Sequence, residues 1–360
     1  MQYAARRKKV TELLIEQKLD ALLLFGLPMI RYFCGFTGTD GVLLLSQNQS
    51  TFLTDSRYQT QSAQEVTAEK KICYSNKLKH IVEEIRAQGY QRVGFDSASL
   101  TVAVFDEIKL ISGDTIEWFP LGEPLRTIRS SKDSDELVPL KQAAQLNQKA
   151  FEQVLPSIKP GVSERTIALE LECALKKLGG ECNAFDFIVA SGARGALPHG
   201  VASDKLLQAG ELVTIDFGTR VDGYHSDETV TLAIGPVDGK LRQIFDIVLK
   251  AHDLALAAVQ PGIELRDLDA VARDYIRKQG YGDYFGHGLG HGVGLEIHEY
   301  PALSPRADAQ AVEGMVVTIE PGIYIPELGG VRIEDTVVVT ADGYEALTSI
   351  PKEFYQIDVP

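Results

Sequence analysis

The sequence predicts two domains of different class: an alternating α/β domain over residues 1–124 and an α+β domain over residues 125–360 built from two related halves. Three observations predict this. The chain has 360 residues, 44% of them hydrophobic, which is enough for two separate cores. Its first third alternates short apolar runs with segments of helical spacing. Its remainder contains two strand–turn–strand segments that match one another residue for residue at their ends.

In the first domain, residues 4–18 place Val10, Leu13 and Leu14 on one face of a helix. The runs ALLLFG, GVLLLS, TFLTD, KICYS and RVGFD read as strands, and HIVEEIRAQGY reads as a helix between two of them. The domain ends near Pro120, and LGEPLRTIRSSKDSDE, polar and broken by a proline, reads as a linker. The second domain opens with helices near 133–157 and 163–178, the latter started by Ser163. A second helix pair spans about 238–259 and 264–279.

A β segment follows each helix pair. One reads ELVTIDFGTRVDGYHSDETVTLAI and the other GMVVTIEPGIYIPELGGVRIEDTVVVT. Both begin Val-Thr-Ile, then a carboxylate, one residue and Gly; both return through a carboxylate, an acidic residue, Thr and Val. Asp216 matches Glu320, and Asp227 matches Glu334, with spacings of 11 (216 to 227) and 14 (320 to 334). Two hairpins of one pattern predict a pseudo-duplicated unit.

Composition narrows the function classes. A net charge of −14 repels phosphate backbones and argues against a nucleic-acid partner. The four cysteines, Cys34, Cys73, Cys173 and Cys182, form no C-x-x-C pair and are too sparse for a disulfide scaffold. The apolar run Ala21–Ile30 is broken by Gly26 and Pro28, and no stretch approaches the roughly 20 apolar residues of a membrane span. The expectation is a soluble cytoplasmic protein with no membrane partner.

The chemistry concentrates in the second domain. An ionised carboxylate amid Val, Ile and Phe on a strand is costly unless a cation or donor compensates it. If a pseudo-twofold brings the hairpins together, Asp216, Asp227, Glu320 and Glu334 converge, and two divalent cations would balance their four charges. Between the hairpins lies FGHGLGHGVGLEIHEYP, carrying His287, His291 and His298. His287 and His291 are four apart, yet Gly286, Gly288, Gly290, Gly292 and Gly294 disfavour a helix, so an extended or turned backbone is expected there. The spacing also lacks the G-x-G-x-x-G of a dinucleotide site. His199, in SGARGALPHG, sits in a loop of small residues, and Arg332 precedes Glu334 by two, where it could neutralise or orient the carboxylates.

Together VTIDFG…SDETVTL, GHGLGHGVGLEIHE, VTIEPGIY and GGVRIEDTV closely resemble the pita-bread metallopeptidases: methionine aminopeptidase, Xaa-Pro dipeptidase (prolidase) and aminopeptidase P, with creatinase as a non-peptidase relative. The resemblance covers residues 125–360. The FTGTDG and TDSRY stretches look like the creatinase-type N-terminal domain, which points to the prolyl-peptidase branch. The fold implied is a creatinase-like α/β domain followed by an α+β pita-bread domain with pseudo-twofold symmetry.

The resemblance implies a dinuclear centre. Asp216 would bind one ion, Asp227 and Glu334 would bridge the pair, and His291 and Glu320 would complete the other site. One nitrogen among many oxygens suits Mn²⁺, with Co²⁺, Zn²⁺ and Fe²⁺ as alternative occupants. A hydroxide shared by the two ions would attack the scissile carbonyl. His298 would stabilise the oxyanion, Glu320 would shuttle the proton, His199 would contact substrate near the leaving group, and His287 would lie at the pocket wall. Arg332 and His287 are thus candidate substrate-binding residues. Arg306, in LSPRADA, is a third, as a cation for the carboxylate of a dipeptide. The substrate implied is a peptide or dipeptide with proline second. Xaa-Pro dipeptidase is the leading reading, and aminopeptidase P acting on longer peptides is the alternative. A non-catalytic binding module of the same fold, or a creatinase-type amidinohydrolase, fits the complete ligand set less well. Relatives of this branch suggest a homodimer.

Overall fold

A computed structural model describes residues 2–359, and the chain divides into two compact units, Met1–Ile128 and Arg129–Pro360. The first unit is built on one six-stranded sheet. Its strands are β1 (Ala21–Leu24), β2 (Val42–Ser46), β3 (Ser50–Thr54), β4 (Lys70–Cys73), β5 (Arg92–Asp96) and β6 (Glu117–Leu121), in the order β4-β3-β2-β1-β5-β6. The all-apolar run of β1 lies mid-sheet and is fully buried, as expected of a strand covered on both faces. Strand β6 is an edge strand, where Pro120 can lack an N–H without breaking a ladder. Helices α1 (Tyr3–Gln17), α2 (Leu27–Cys34), α3 (Gln59–Glu65), α4 (Lys77–Ala87) and α5 (Val102–Ser112) complete the alternation. Helix α1 buries the expected Val10, Leu13 and Leu14.

The expected linker is structured. Helix α6 (Glu123–Ile128) occupies it and buries Leu125 and Ile128. The Ile128 carbonyl accepts from Tyr32 Oη at 3.2 Å and Lys9 Nζ at 3.3 Å. These contacts tie α6 to the first unit, so the division falls after residue 128 rather than after 124. The polar composition hid the two apolar residues that anchor this turn of helix.

The second unit has two helix pairs. Helix α7 (Ser134–Val154) starts at a capping box in which Asp133 and Glu136 each satisfy the other's backbone N–H. Helix α8 (Glu164–Lys177) is capped by Ser163. Helices α9 (Gly239–Ala258) and α10 (Leu265–Lys278) form the second pair, α9 capped by Asp238.

The strands form two main sheets. One has the order β19-β11-β8-β7, from β7 (Ile188–Ser191), β8 (Leu212–Phe217), β11 (Glu228–Ile234) and β19 (Tyr355–Ile357). The other has the order β13-β12-β14-β17-β18, from β12 (Gly290–Gly292), β13 (Glu299–Leu303), β14 (Val316–Ile319), β17 (Asp335–Val339) and β18 (Tyr344–Ala346). The turn between β8 and β11 is itself a small hairpin, β9 (Arg220–Val221) with β10 (Tyr224–His225). The turn between β14 and β17 is likewise β15 (Gly322–Ile325) with β16 (Gly329–Arg332). One apolar cluster joins α7 and α8 to the first sheet, including Phe151, Ile167, Leu171 and Ile215. A second joins α9 and α10 to the other, including Ile244, Leu268, Val317 and Val337.

The two hairpins share faces but not register. Val213 pairs with Leu232 in the first, whereas Val317 pairs with Val337 in the second, the counterpart of Val230. The offset is therefore two residues, which keeps every side chain on its original face. Sequence matching alone could not detect it.

Glu164, the first residue of α8, is fully buried and holds the loop that carries His199. It accepts from Ser191 N (2.8 Å) and Oγ (2.9 Å) and from Ser203 N (3.1 Å) and Oγ (2.7 Å), and it pairs with Arg194. Removing it strands these donors. Glu164→Ala is expected to cost about 3 kcal/mol, the low end for breaking a buried pair because Arg194 is partly solvated. Urea unfolding of the metal-free protein measures this.

Candidate metal centre and active site

Strand alternation delivers the carboxylates to one place. Asp216 lies on β8, Asp227 just before β11, Glu320 just after β14 and Glu334 just before β17. Ligand oxygens of Asp216, Asp227 and Glu334 all lie within 4.8 Å of one another, and all three residues are buried. His291 Nε2 is 3.5 Å from Asp227 Oδ2 and 3.4 Å from Glu320 Oε1. The five residues predicted as ligands therefore meet in one cluster.

The hairpins are bonded to each other beside this cluster. Thr229 Oγ1 donates to Glu334 Oε2 at 2.6 Å, and the matching Thr336 Oγ1 donates to the Asp227 carbonyl at 2.8 Å. Thr318 Oγ1 accepts from His291 N at 3.0 Å and donates to Glu320 Oε1 at 3.1 Å. The glycine-rich segment is extended at this point, as β12 between β13 and β14. A Cβ on Gly290 would stand 2.0 Å from the Thr318 carbonyl oxygen, so only glycine lets β12 approach.

The empty-handed groups suit a divalent cation. Asp216 Oδ1 is buried without a hydrogen-bond partner. His291 Nδ1 lies 3.1 Å from the Gly292 carbonyl, which fixes that nitrogen as the N–H donor and leaves the Nε2 lone pair facing the carboxylates. Without a cation, burial and then repulsion from Glu334, Asp216 and Glu320 hold Asp227 well above the usual carboxylate range. Burial, then Glu320 and Asp216, do the same for Glu334. Burial pushes Glu320 up to about 7. Burial also lowers His291, keeping it neutral as a ligand must be.

The cluster floors a cavity of about 510 Å³ whose lining includes His199, His287, His298 and Arg332. His199 and His298 are exposed. The His298 ring lies 4.4 Å from the His291 ring, edge to face, and burial followed by the field of His291 lowers its pKa. Apolar walls come from Phe185, Ile188, Val201, Ile297 and Leu303.

Two candidate substrate-binding residues, Arg332 and His287, line the cavity and also bond to protein partners. Arg332 is buried and directs Nη2 to Asp216 Oδ2 (2.5 Å), Nη1 to Tyr324 Oη (3.0 Å) and the Pro198 carbonyl (3.1 Å), and Nε to Thr229 Oγ1 (3.3 Å). These bonds orient a carboxylate and a loop. His287 lines the wall with both nitrogens engaged: Nδ1 at 2.8 Å from the Gly288 carbonyl and Nε2 at 2.8 Å from Tyr324 Oη. Burial and the Arg332 charge lower it to about 4, so it is neutral. Arg306 is exposed and does not line the cavity, although Ser304 two positions earlier does. A loop cation's position depends on backbone path, which its sequence neighbours do not encode.

Sequence reasoning missed Tyr324 and the pair Asp269–Arg273. Arg273 pairs with Asp269 at 2.7 Å and donates to the carbonyls of Phe285 (2.9 Å) and His287 (2.6 Å), while Asp269 accepts from Leu289 N at 3.0 Å. This pair clamps the glycine-rich segment onto α10. Its only sequence signal was an i,i+4 acid–base spacing, which is common on solvated helices.

Comparison with known proteins agrees with this geometry. Residues 139–341 match the model of metallopeptidase family M24, and residues 6–131 match that of the creatinase/prolidase N-terminal domain. The chain is a peptidase of metallopeptidase family M24, with the pita-bread catalytic fold behind a creatinase-type N-terminal domain. It is 38% identical to an Xaa-Pro dipeptidase of Pyrococcus horikoshii, over 96% of this chain and 97% of that one. The solved Xaa-Pro dipeptidase of Bacillus anthracis is 40% identical, covering 99% of this chain and 100% of its own, with a TM-score of 0.96. The X-Pro aminopeptidase of Thermotoga maritima is 35% identical, over 98% and 99% respectively, with a TM-score of 0.90. The family implies divalent metal ions.

The raised carboxyl pKa values carry a sign. A cation favours the ionised form, so binding must expel the protons that burial retains, and affinity falls as pH falls through about 7, the value for Glu320. Calorimetric titration of the metal-free protein, in buffers of different ionisation enthalpy, should find more protons released per ion bound at pH 6 than at pH 8.

Proposed function

We propose that the chain is an Xaa-Pro dipeptidase working with two divalent ions per subunit, most naturally Mn²⁺. The observation that carries this is the convergence of Asp216, Asp227, His291, Glu320 and Glu334 on the floor of a half-apolar cavity. The donor set is one imidazole and four carboxylates, hard oxygens that suit Mn²⁺ better than thiolate-selecting ions. The names of the relatives, Xaa-Pro dipeptidase and X-Pro aminopeptidase, support a proline-directed substrate.

In this reading Asp227 and Glu334, one from each hairpin, would be common to both ions, Asp216 would hold one of them, and His291 with Glu320 would hold the other. Bound divalent ions supply Lewis acidity for water activation and for the developing oxyanion. Glu320 takes the proton from the attacking water and delivers it to the leaving nitrogen. The leaving nitrogen departs as an amine only once it has gained a proton, which such a group supplies. His298, neutral and open to the cavity, donates an N–H to the oxyanion. His199 contacts substrate near the leaving group, and the apolar wall receives the ring. Arg332 and His287 act from behind: Arg332 orients Asp216, and His287 shapes the wall through Tyr324. We infer a homodimer in the cytoplasm, in keeping with the acidic surface and four unpaired cysteines.

One observation favours the alternative, aminopeptidase P. The Arg306 side chain is outside the cavity lining, and Arg332 is committed to protein acceptors. A dipeptidase needs a cation for the substrate's carboxylate, whereas an aminopeptidase does not.

Two experiments test these assignments. Ala-Pro and Ala-Pro-Ala are assayed with Mn²⁺, with and without chelator: faster cleavage of the dipeptide is expected, preference for the tripeptide makes the enzyme an aminopeptidase P, and no metal-dependent cleavage of either ends the proposal. Asp227→Ala and Glu334→Ala should each lower kcat at least a thousandfold while circular dichroism is unchanged. Near-normal turnover by either variant with metal bound would rule out a bridging role.

A further inference from the structure

Behind the metal floor lies a second charged cluster. Glu228 follows Asp227 at the start of β11, and Asp335 follows Glu334 at the start of β17. Neighbouring residues on a strand point to opposite faces. The ligands face the cavity, and their neighbours face the reverse side. Lys352, from the segment before β19, reaches both of them there. Its Nζ is 2.5 Å from Glu228 Oε1 and 3.4 Å from Asp335 Oδ1, and its side chain is 7% exposed. The Ile350 N–H also donates to Glu228 Oε1 at 3.0 Å. Asp335 has two further partners, Thr348 Oγ1 at 2.6 Å and His252 Nε2 at 3.2 Å from α9.

We propose that Lys352 is a positioning residue of the dinuclear centre: by joining Glu228 and Asp335 from behind, it fixes the separation of the adjoining bridging carboxylates, Asp227 and Glu334. The inference rests on the two-ion reading above. The bridging residues come from different hairpins, so no single ladder sets their spacing. On the cavity side the hairpins are joined by hydroxyl and amide hydrogen bonds through Thr229, Thr231 and Thr336. Lys352 is the charged tie on the other side, and it grips the residue next to each bridging ligand. A buried ammonium between two buried carboxylates is also directional, because neither partner can leave without stranding a charge. Lys352 does not line the metal cavity, so it acts on the centre from behind and not by touching substrate.

The test uses the full-length protein, stripped of metal and titrated with Mn²⁺ alone by calorimetry, with Co²⁺ absorption as a second probe. Wild type should bind two ions. If it binds only one, the two-ion reading fails and this inference with it. Lys352→Met leaves two buried carboxylates facing one another, a cost that falls on the fold itself, so the deciding variant is Lys352→Met combined with Glu228→Gln, which removes one charge of each sign. Expected are a metal-free melting temperature within a few degrees of wild type, at least tenfold weaker binding of the second ion, an altered Co²⁺ spectrum, and lower kcat with KM little changed. A double variant that binds two ions as tightly as wild type, with the same Co²⁺ spectrum, overturns the proposal while leaving the two-ion reading intact. A double variant that cannot fold also overturns it, because the tie would then serve the fold and not the spacing of ligands.

Discussion

Four carboxylates around one cavity repel each other, and much of the catalytic unit is arranged to withstand that repulsion. For Asp216, Asp227 and Glu334, whose oxygens lie within 4.8 Å of one another, each ionised pair opposes the fold by about 3 kcal/mol or more at an effective dielectric of about 20. Burial raises the cost by removing water. Left alone, such a site would keep its protons, as the elevated positions of Asp227, Glu334 and Glu320 express. Divalent cations reverse the balance, because they neutralise the charge where hydrogen bonds only share it.

The scaffold answers the repulsion in layers. Arg332 brings a guanidinium to Asp216. Threonine hydroxyls at matched positions of the two hairpins bond across the seam. Asp269 and Arg273 press the glycine-rich segment against α10, and Gly290 permits β12 to come within reach of Thr318. His291 is therefore presented by backbone approach, not by a helical face. That is why a histidine pair four residues apart need not mean a helix: spacing constrains geometry only once the backbone is known.

The division of labour within the cavity follows from which donors are already spent. His199 and His298 are exposed at the cavity, while Arg332 and His287 have their polar atoms engaged inside the protein. The family resemblance gave His199 and His298 catalytic roles and made Arg332 and His287 candidates for substrate binding. Hydrogen-bond accounting separates the two imidazoles open to the cavity from the two groups whose polar atoms bond to protein.

The convergence of Asp216, Asp227, Glu320 and Glu334 was legible in the sequence because buried strand positions rarely tolerate a carboxylate, and four stand at matched places in two hairpins. The helix pairs were legible for a similarly local reason, and so was one cap, Ser163, which satisfies a first-turn N–H of the helix that follows it. The sixth strand and the short helix before residue 128 were obscured by proline and polar residues. The two-residue register offset, the exclusion of Arg306 from the cavity and the reverse-side network of Lys352, Glu228 and Asp335 lay beyond reach for one reason. Each depends on segments distant in sequence meeting at ångström precision, and strand pairing and side-chain packing set that distance. The sequence by itself determined which charged side chains the two hairpins would bring to the cavity floor; the tertiary structure alone decided how those groups are spaced and what holds them there.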